Sequence, residues 1–310
     1  MDKHSGYCAI VGRPNVGKST LINRLIGQKL AITSRKPQTT RHSIIGVKTR
    51  EDGQIVYVDT PGIHQRGEQA MNRYLNRTAK SALAGVDLLL FVVAAMKWTA
   101  EDQAVLDTVE RARIPVILVI NKVDRVKDKT QLLPFIAATA ARGSFVESVP
   151  LSALRGDNVA LLEQQVVRLL PRGEAFFPDD QLTDRSERFF AAELLREQLT
   201  RRYAKEIPYA LSVEIERFEE HDNSGQRSHK AKQRDASPLI NIAAVIWVER
   251  PGQKNIIIGR KGEALREVAT QARLEMEKFF QRRVYLDVWV KVKRSWSSDE
   301  SALIQLGYGD

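Results

Sequence analysis

The 310-residue chain holds one cysteine, Cys8. An intramolecular disulfide is therefore excluded, and so is a thiolate metal cage, which needs more than one sulfur. Long apolar runs are missing as well. The longest, VDLLLFVVAAM from Val86 to Met96, contains Asp87 and falls far short of the roughly 20 residues that span a bilayer as a helix. The opening stretch MDKHSGYCAIVG has no secretory pattern, because its short apolar run leads straight into a glycine motif. The expectation is a soluble protein of a reducing compartment, the cytoplasm.

Disorder and fibre are excluded by what is present. Hydrophobic residues make up 43% of the chain and charged residues 28%, which is ordinary for globular proteins. At about 100–200 residues per domain the length predicts two domains, each with its own core. The net charge of +10 points to an anionic partner without naming one. Its distribution says more. Residues 1–50 carry ten basic side chains against one acidic, and residues 221–294 carry sixteen against eight. The stretches between and after these blocks are mildly acidic, so two basic blocks lie in different halves of the chain.

The first half alternates apolar runs with amphipathic stretches. Strands are predicted at Tyr7–Val11, Ile44–Lys48, Gln54–Asp59, Leu88–Ala94, Pro115–Asn121 and Phe145–Pro150, with helices at Lys18–Ile26, Gln69–Leu83, Glu101–Ala112, Leu132–Ala141 and Val159–Leu170. All-apolar strands such as LLLFVVA, separated by helices, imply an α/β domain with a buried, mostly parallel sheet. Pro171 ends the last helix, and the Pro- and Gly-punctuated residues that follow read as a linker. The expected divisions are 1–172, a linker at 173–183, and a smaller α+β domain at 184–310 with a short C-terminal tail. In that second half the predicted order is helix (Asp184–Tyr203), strand (Ala210–Phe218), polar loop (Glu219–Ser237), strand (Leu239–Val248), short apolar turn (Ile256–Ile258), helix (Glu263–Gln281) and strand (Val284–Val292).

Four motifs in the first half carry chemistry. Strand YCAIVG leads into Gly12-Arg13-Pro14-Asn15-Val16-Gly17-Lys18-Ser19-Thr20 and then a helix, which is the strand–loop–helix setting of a phosphate-binding loop. Its glycines let backbone N–H groups approach phosphate oxygens, Lys18 is placed for the β/γ-phosphates, and Ser19 for Mg²⁺. Asp59-Thr60-Pro61-Gly62 closes the next strand, with Asp59 placed to hold Mg²⁺ and Gly62 to offer its N–H to the γ-phosphate. Asn121-Lys122-Val123-Asp124 closes the strand PVILVI. The Asp124 carboxylate suits the N1–H and N2–H pair of guanine, a pair that adenine lacks. Lys122 can lie over the base, Asn121 can brace the loops, and the Ser152-Ala153-Leu154 segment can give a backbone N–H to guanine O6. The ordered set means a guanine nucleotide, GTP or GDP.

On these residues the front half resembles the translation-factor-related P-loop GTPases, and within them the Era family. The resemblance implies that SRKPQTTRH is the first switch and that Thr40, with Thr39 as the alternative, reaches Mg²⁺ beside Ser19 and Asp59. It makes Lys18, Thr40 and Gly62 the catalytic set. Ile63 stands where many small GTPases carry a water-orienting glutamine. Era-like proteins share this hydrophobic residue, so no side chain is named as base, and slow turnover resting on positioning and Mg²⁺ is expected. The resemblance also offers Asn15 as a ligand for K⁺, an ordinary turn residue being the other reading.

In the second half, Gly259-Arg260-Lys261-Gly262 lies between two helical segments within the order given above. This resembles a type II KH domain, whose GXXG loop clamps single-stranded nucleic acid. The strings VEIERF, VWVKVKRSW and LGYGD extend the Era-like resemblance over nearly the whole chain. It implies a monomer that binds the 3′ region of 16S ribosomal RNA, acts in 30S subunit assembly, and makes peripheral contact with the inner face of the membrane. A membrane-associated regulatory GTPase is the alternative reading. An RNA-modifying enzyme would need a second catalytic constellation, and His221 and His229 in the polar loop are too isolated to supply one. Lys254, Arg266, Lys291, Lys293, Arg294 and Trp289 are looser candidates for RNA contact.

Overall fold

The computed structural model describes residues 3–34, 39–61, 70–203, 207, 210–221 and 239–308. It divides into two compact units, Met1–Arg185 and Ser186–Asp310.

The first unit runs β1 (His4–Val11), α1 (Lys18–Ile26), β2 (Ile44–Arg50), β3 (Gly53–Asp59), α2 (Ala70–Ser81), β4 (Leu88–Ala94), α3 (Ala100–Ala112), β5 (Val116–Asn121), α4 (Leu132–Ala140), β6 (Glu147–Pro150) and α5 (Val159–Leu169). The strands form one sheet in the order β2-β3-β1-β4-β5-β6. All neighbours are parallel except β2 with β3, as the apolar runs predict. Every residue of β4 and β5 is buried, which is why both strands are apolar on both faces rather than alternating. Val105, Leu106 and Val109 of α3 pack with Phe91 and Leu118 in the core on one face. At roughly 25 cal/mol per Å² of apolar surface, each such side chain contributes about 1.5–3 kcal/mol. Parallel order brings the carboxyl ends of β1, β3, β5 and β6 to one edge, where ligands of such sheets bind.

The segment expected as a linker, 173–183, is hydrogen-bonded to the first unit. Gln54 accepts from the backbone N–H groups of Phe176 and Phe177, and its Nε2 donates to the Phe177 carbonyl. Farther on, the Val47 N–H donates to the Leu182 carbonyl at 2.8 Å, and Arg185 Nη2 donates to Ser43 O at 2.6 Å. The strand edge of β2 is thereby covered. Spacing gave no sign of this, since the pairing joins positions more than 120 residues apart.

The second unit runs α6 (Glu187–Arg202), β7 (Leu211–His221), β8 (Leu239–Val248), α7 (Pro251–Ile258), α8 (Glu263–Phe280), β9 (Arg283–Val292) and α9 (Glu300–Gln305). Its sheet has the order β7-β8-β9, with β7 antiparallel and β9 parallel to β8. The helix–strand–strand–helix–helix–strand order is the expected one, with three differences in extent. β7 continues through Glu219–His221, paired with Leu239–Asn241, although these residues were expected in the polar loop. Residues 222–237, the rest of that loop, lie outside the described residues. The apolar turn at Ile256–Ile258 is the end of an eight-residue helix started by Pro251, with Gln253 and Arg250 forming its cap. Beyond β9 the chain does not trail off. Trp296 is fully buried, donates from Nε1 to Ala210 O and stacks on Tyr308, whose hydroxyl meets Ser212 Oγ at 3.1 Å.

Candidate functional site

The P-loop joins β1 to α1, and its glycines are fixed by crowding. A Cβ on Gly12 would lie 2.4 Å from Val92 O, and one on Gly17 would lie 2.3 Å from Asn121 Nδ2. Both residues also have positive φ, 154° and 106°, which disfavours any side chain. Lys18 is buried and donates from Nζ to the carbonyls of Gly12 at 2.9 Å and Arg13 at 3.2 Å. Burial pushes its ammonium down to about 8, against the opposing pull of Asp59. Asn15 lies exposed at the loop tip with φ 63°, and its carbonyl accepts from Lys122 Nζ. Val16 is buried, with its carbonyl accepting from Asn121 Nδ2 at 2.9 Å. The Arg13 side chain turns to α3, where Nε donates to Asp102, and Nη1 donates to Pro14 O at 3.4 Å.

Three oxygen-bearing side chains meet beside Lys18. Ser19 Oγ lies 2.9 Å from Thr40 Oγ1, and Thr40 donates to Asp59 Oδ2 at 3.2 Å. Of the Thr39–Thr40 pair, which position alone leaves open, Thr40 places its hydroxyl in this corner. Asp59 is wholly buried, and its Oδ1 has no hydrogen-bond partner among the described residues. Burial pushes its carboxyl up to about 6, although Lys18 and the hydroxyls pull it back. A buried carboxylate with an open oxygen, next to two hydroxyls, is a donor set for a hard divalent cation. Thr60 is buried and donates from Oγ1 to Ile10 O at 2.8 Å, which ties the segment after β3 to β1. Pro61 is buried beside it. Gly62 and Ile63 lie outside the described residues.

The third corner is organised by Asn121. Besides holding Val16, its Oδ1 accepts from the N–H groups of Lys122 at 2.7 Å and Ala153 at 3.0 Å. One side chain thus joins the P-loop, the end of β5 and the loop after β6. Within Ser152-Ala153-Leu154, the segment expected to give a backbone N–H to guanine O6, the Ala153 N–H donates to Asn121 in this structure. Ser152 Oγ donates to Asp124 Oδ1 at 2.7 Å and accepts from Arg155 N, which fixes the carboxylate. Lys122 takes φ 68°, and burial lowers its ammonium below the usual lysine value. Gly17, Thr20, Asn121, Lys122, Asp124 and Ala153 border an open cavity of about 100 Å³.

In the second unit, Gly259–Gly262 connect α7 to α8 through left-handed backbone at Gly259, Lys261 and Gly262. A Cβ on Gly259 would lie 2.5 Å from Ala264 Cβ, while the space around Gly262 is open. Arg260 and Lys261 are exposed at the tip. Tyr203 Oη donates to Ile257 O at 3.0 Å and anchors the preceding turn. Among the looser candidates, Lys291 pairs with Glu216 and lies over the Trp247 ring, and Lys293 donates to Gln305. Trp289 is 47% exposed on the outer face of the sheet.

Sequence reasoning missed Asp102 and Tyr203. Thr99-Ala-Glu-Asp102 forms a capping box at the start of α3, a local signal that the expected start at Glu101 did not use. Nothing in its spacing revealed the partner in the P-loop.

Comparison with known proteins agrees with both units. Residues 7–122 match the family of 50S ribosome-binding GTPases, and residues 206–297 match the KH domain family. The chain is 52% identical over 305 residues to GTPase Era of Azotobacter vinelandii, covering 98% of this chain and 97% of that one. It is also 52% identical to GTPase Era of Pseudomonas aeruginosa strain LESB58, covering 98% and 95%. Among solved structures, an Aquifex aeolicus Era variant bound to GDP and AlF4⁻ is 36% identical with a TM-score of 0.90, covering 99% of this chain and all of that one. Era in complex with MgGDPNP and nucleotides 1506–1542 of 16S ribosomal RNA is 35% identical with a TM-score of 0.91 and the same coverage.

Proposed function

The chain belongs to the Era family of GTPases, and on that premise we propose that it is a guanine-nucleotide switch for 16S ribosomal RNA in 30S subunit assembly. It hydrolyses GTP to GDP and phosphate. The observation that carries the nucleotide reading is the convergence of Lys18, Asp59 and Asn121–Asp124 at the carboxyl edge of one sheet, with Asp59 Oδ1 left open. In this reading Lys18 leaves the carbonyls of residues 12 and 13 for the β- and γ-phosphates. Ser19, Thr40 and Asp59 hold Mg²⁺, which when bound neutralises phosphate charge. Asp124 accepts from N1–H and N2–H of guanine, with Lys122 along the base. Gly62 gives its N–H to the γ-phosphate. Water is positioned rather than deprotonated by a named side chain, so intrinsic turnover is slow. Asn15 at the exposed loop tip is proposed as a K⁺ ligand. Wild-type hydrolysis indifferent to exchange of K⁺ for Na⁺ would remove that assignment.

The RNA reading is carried by the GXXG turn, whose open side at Gly262 and exposed Arg260 and Lys261 admit a sugar–phosphate backbone. The relative solved with nucleotides 1506–1542 supports the 3′ region of 16S RNA as the target. GTP would favour the RNA-competent state and GDP would release it, which requires each nucleotide to discriminate between two states. No helix among the described residues is long and apolar enough to cross a membrane. Peripheral membrane contact and a cytoplasmic location remain parts of the same proposal, and lipid binding would not require a GXXG turn. Crosslinking followed by sequencing, with wild type and Gly262→Asp side by side, tests the RNA assignment. A discrete site near the 16S 3′ end, lost in the variant, is expected. Unchanged crosslinks would place RNA binding elsewhere.

A further inference from the structure

We propose that Asp102 is a positioning residue of the nucleotide site, setting the P-loop through the Arg13 side chain; the proposal rests on the guanine-nucleotide reading above. Asp102 lies 89 residues beyond Arg13, in the first turn of α3, and is wholly buried. Both its oxygens accept from Arg13 Nε at 2.9 Å. Its Oδ2 also accepts from Thr99 N at 2.9 Å and Thr99 Oγ1 at 2.8 Å. The carboxylate is therefore fixed by the helix cap before it meets the arginine. Arg13 is itself buried, and a buried guanidinium is held in place only while its counter-charge remains.

The consequence reaches the phosphate side of the loop. The carbonyls of Gly12 and Arg13 cradle the Lys18 ammonium, so the position of that charge follows the backbone of residues 12 and 13. Besides the Lys122 ammonium on the Asn15 carbonyl at the tip, three restraints hold the loop. Gly12 abuts the β4 backbone at Val92, Val16 is tied to Asn121, and Arg13 is tied to Asp102. The first two follow from the motif glycines and the NKxD asparagine. The third is contributed by an acid outside every nucleotide motif, and it also turns one cation of the loop away from the phosphates. Asp102 touches no reacting atom in this arrangement. It acts through Arg13.

The test separates placement of the loop from folding. Affinity for a fluorescent GDP analogue and the thermal midpoint are measured for wild type, Asp102→Asn, Thr99→Ala and the double variant Arg13→Gln/Asp102→Asn. Asp102→Asn keeps an oxygen for the Thr99 cap but removes the charge that holds Arg13, and a loss of at least tenfold in GDP affinity is expected. Thr99→Ala weakens the cap and leaves the ion pair, so the midpoint falls while affinity stays within twofold. The double variant buries no unpaired charge. It is expected to regain thermal stability without regaining affinity, a separation that a purely structural pair would not produce. Wild-type affinity in Asp102→Asn, or affinity that returns together with stability in the double variant, would overturn the proposal. Should Asp102→Asn not fold, the double variant decides alone by the same criterion. Wild-type protein that failed to bind GDP would instead refute the nucleotide reading, and the two failures are thereby told apart.

Discussion

Asp59→Asn should make the nucleotide-free protein more stable while removing its response to Mg²⁺. The carboxyl is wholly buried, and its value rises from 3.8 to about 6 because burial opposes its charge. At about 1.4 kcal/mol per unit, keeping it ionised at pH 7.5 costs the folded state about 3 kcal/mol. Asparagine keeps an oxygen for the Thr40 hydroxyl and carries no charge. The attraction to the buried Lys18 is already contained in that value, since it pulls the carboxyl back against burial, so a stabilisation of up to about 3 kcal/mol is expected. At roughly 2–4 °C per kcal/mol for a unit of this size, the thermal midpoint of nucleotide-free protein rises by several degrees.

The pH dependence fixes the sign independently. A carboxyl whose folded value is raised disfavours folding above that value, and the penalty fades as the pH falls from about 6 towards 4. Wild type and Asp59→Asn should therefore differ at pH 7.5 and converge near pH 4. Lys18 runs the other way, its penalty present below about 8 and relieved as the pH rises towards 10.5. The readouts are thermal unfolding without nucleotide across this range and GDP affinity with and without Mg²⁺. An Asp59→Asn variant less stable than wild type at pH 7.5, or one whose GDP affinity still depends on Mg²⁺, would refute the reasoning.

Further outcomes follow from other parts of the molecule. Asp124→Asn should weaken GDP by about 2–4 kcal/mol, from the loss of hydrogen bonds to a charged acceptor, and should favour xanthosine diphosphate, whose C2 carbonyl can accept from the new amide. Competition binding measures both, and equal GDP affinity would contradict the assignment. Trp296→Ala should destabilise the second unit by about 3–5 kcal/mol in urea unfolding, with GDP affinity unchanged. RNA affinity should fall with salt at a log–log slope of about −0.7 for each phosphate neutralised, and Lys261→Ala should flatten that slope by about one such increment. A slope unaffected by the substitution would remove Lys261 from the interface.

The parts that could be read from the sequence are those whose chemistry is confined to a short window. The P-loop, Asp59 and Asn121–Asp124 each lie at the end of a strand with an apolar run, so motif and setting confirm one another. The apolar runs of β4 and β5 gave their burial directly. What escaped depends on partners far along the chain. Gln54 holds Phe176 and Phe177, Asp102 holds Arg13, and Trp296 closes on Ala210 and Tyr308. None of these pairs leaves a local periodicity. The far end of β7 was misjudged for a different reason. Glu219 and Glu220 are exposed, and a strand at a sheet edge with charged side chains reads as loop until its pairing with β8 is seen.

The P-loop and the GXXG turn, both proposed as anion sites, solve one geometric problem under opposite electrostatic conditions. Both turn through left-handed backbone, at Gly17 and at Gly259–Gly262. Around the P-loop the charges are buried, so Lys18 and, at the end of β3, Asp59 are each shifted towards neutrality, and the site carries a cost that a phosphate and a divalent cation would relieve together. That cost favours recognition of the metal-bound nucleotide over either component. In the GXXG turn Arg260 and Lys261 remain in water. No desolvation penalty is stored there, and attraction to a phosphate backbone is screened by salt. A buried site suits a small ligand that must be gripped through hydrolysis, and an exposed one suits a long polyanion that must be released. On the proposed reading, Lys18 of the first basic block binds by relief of burial, and the GXXG turn of the second binds by exchange of counter-ions.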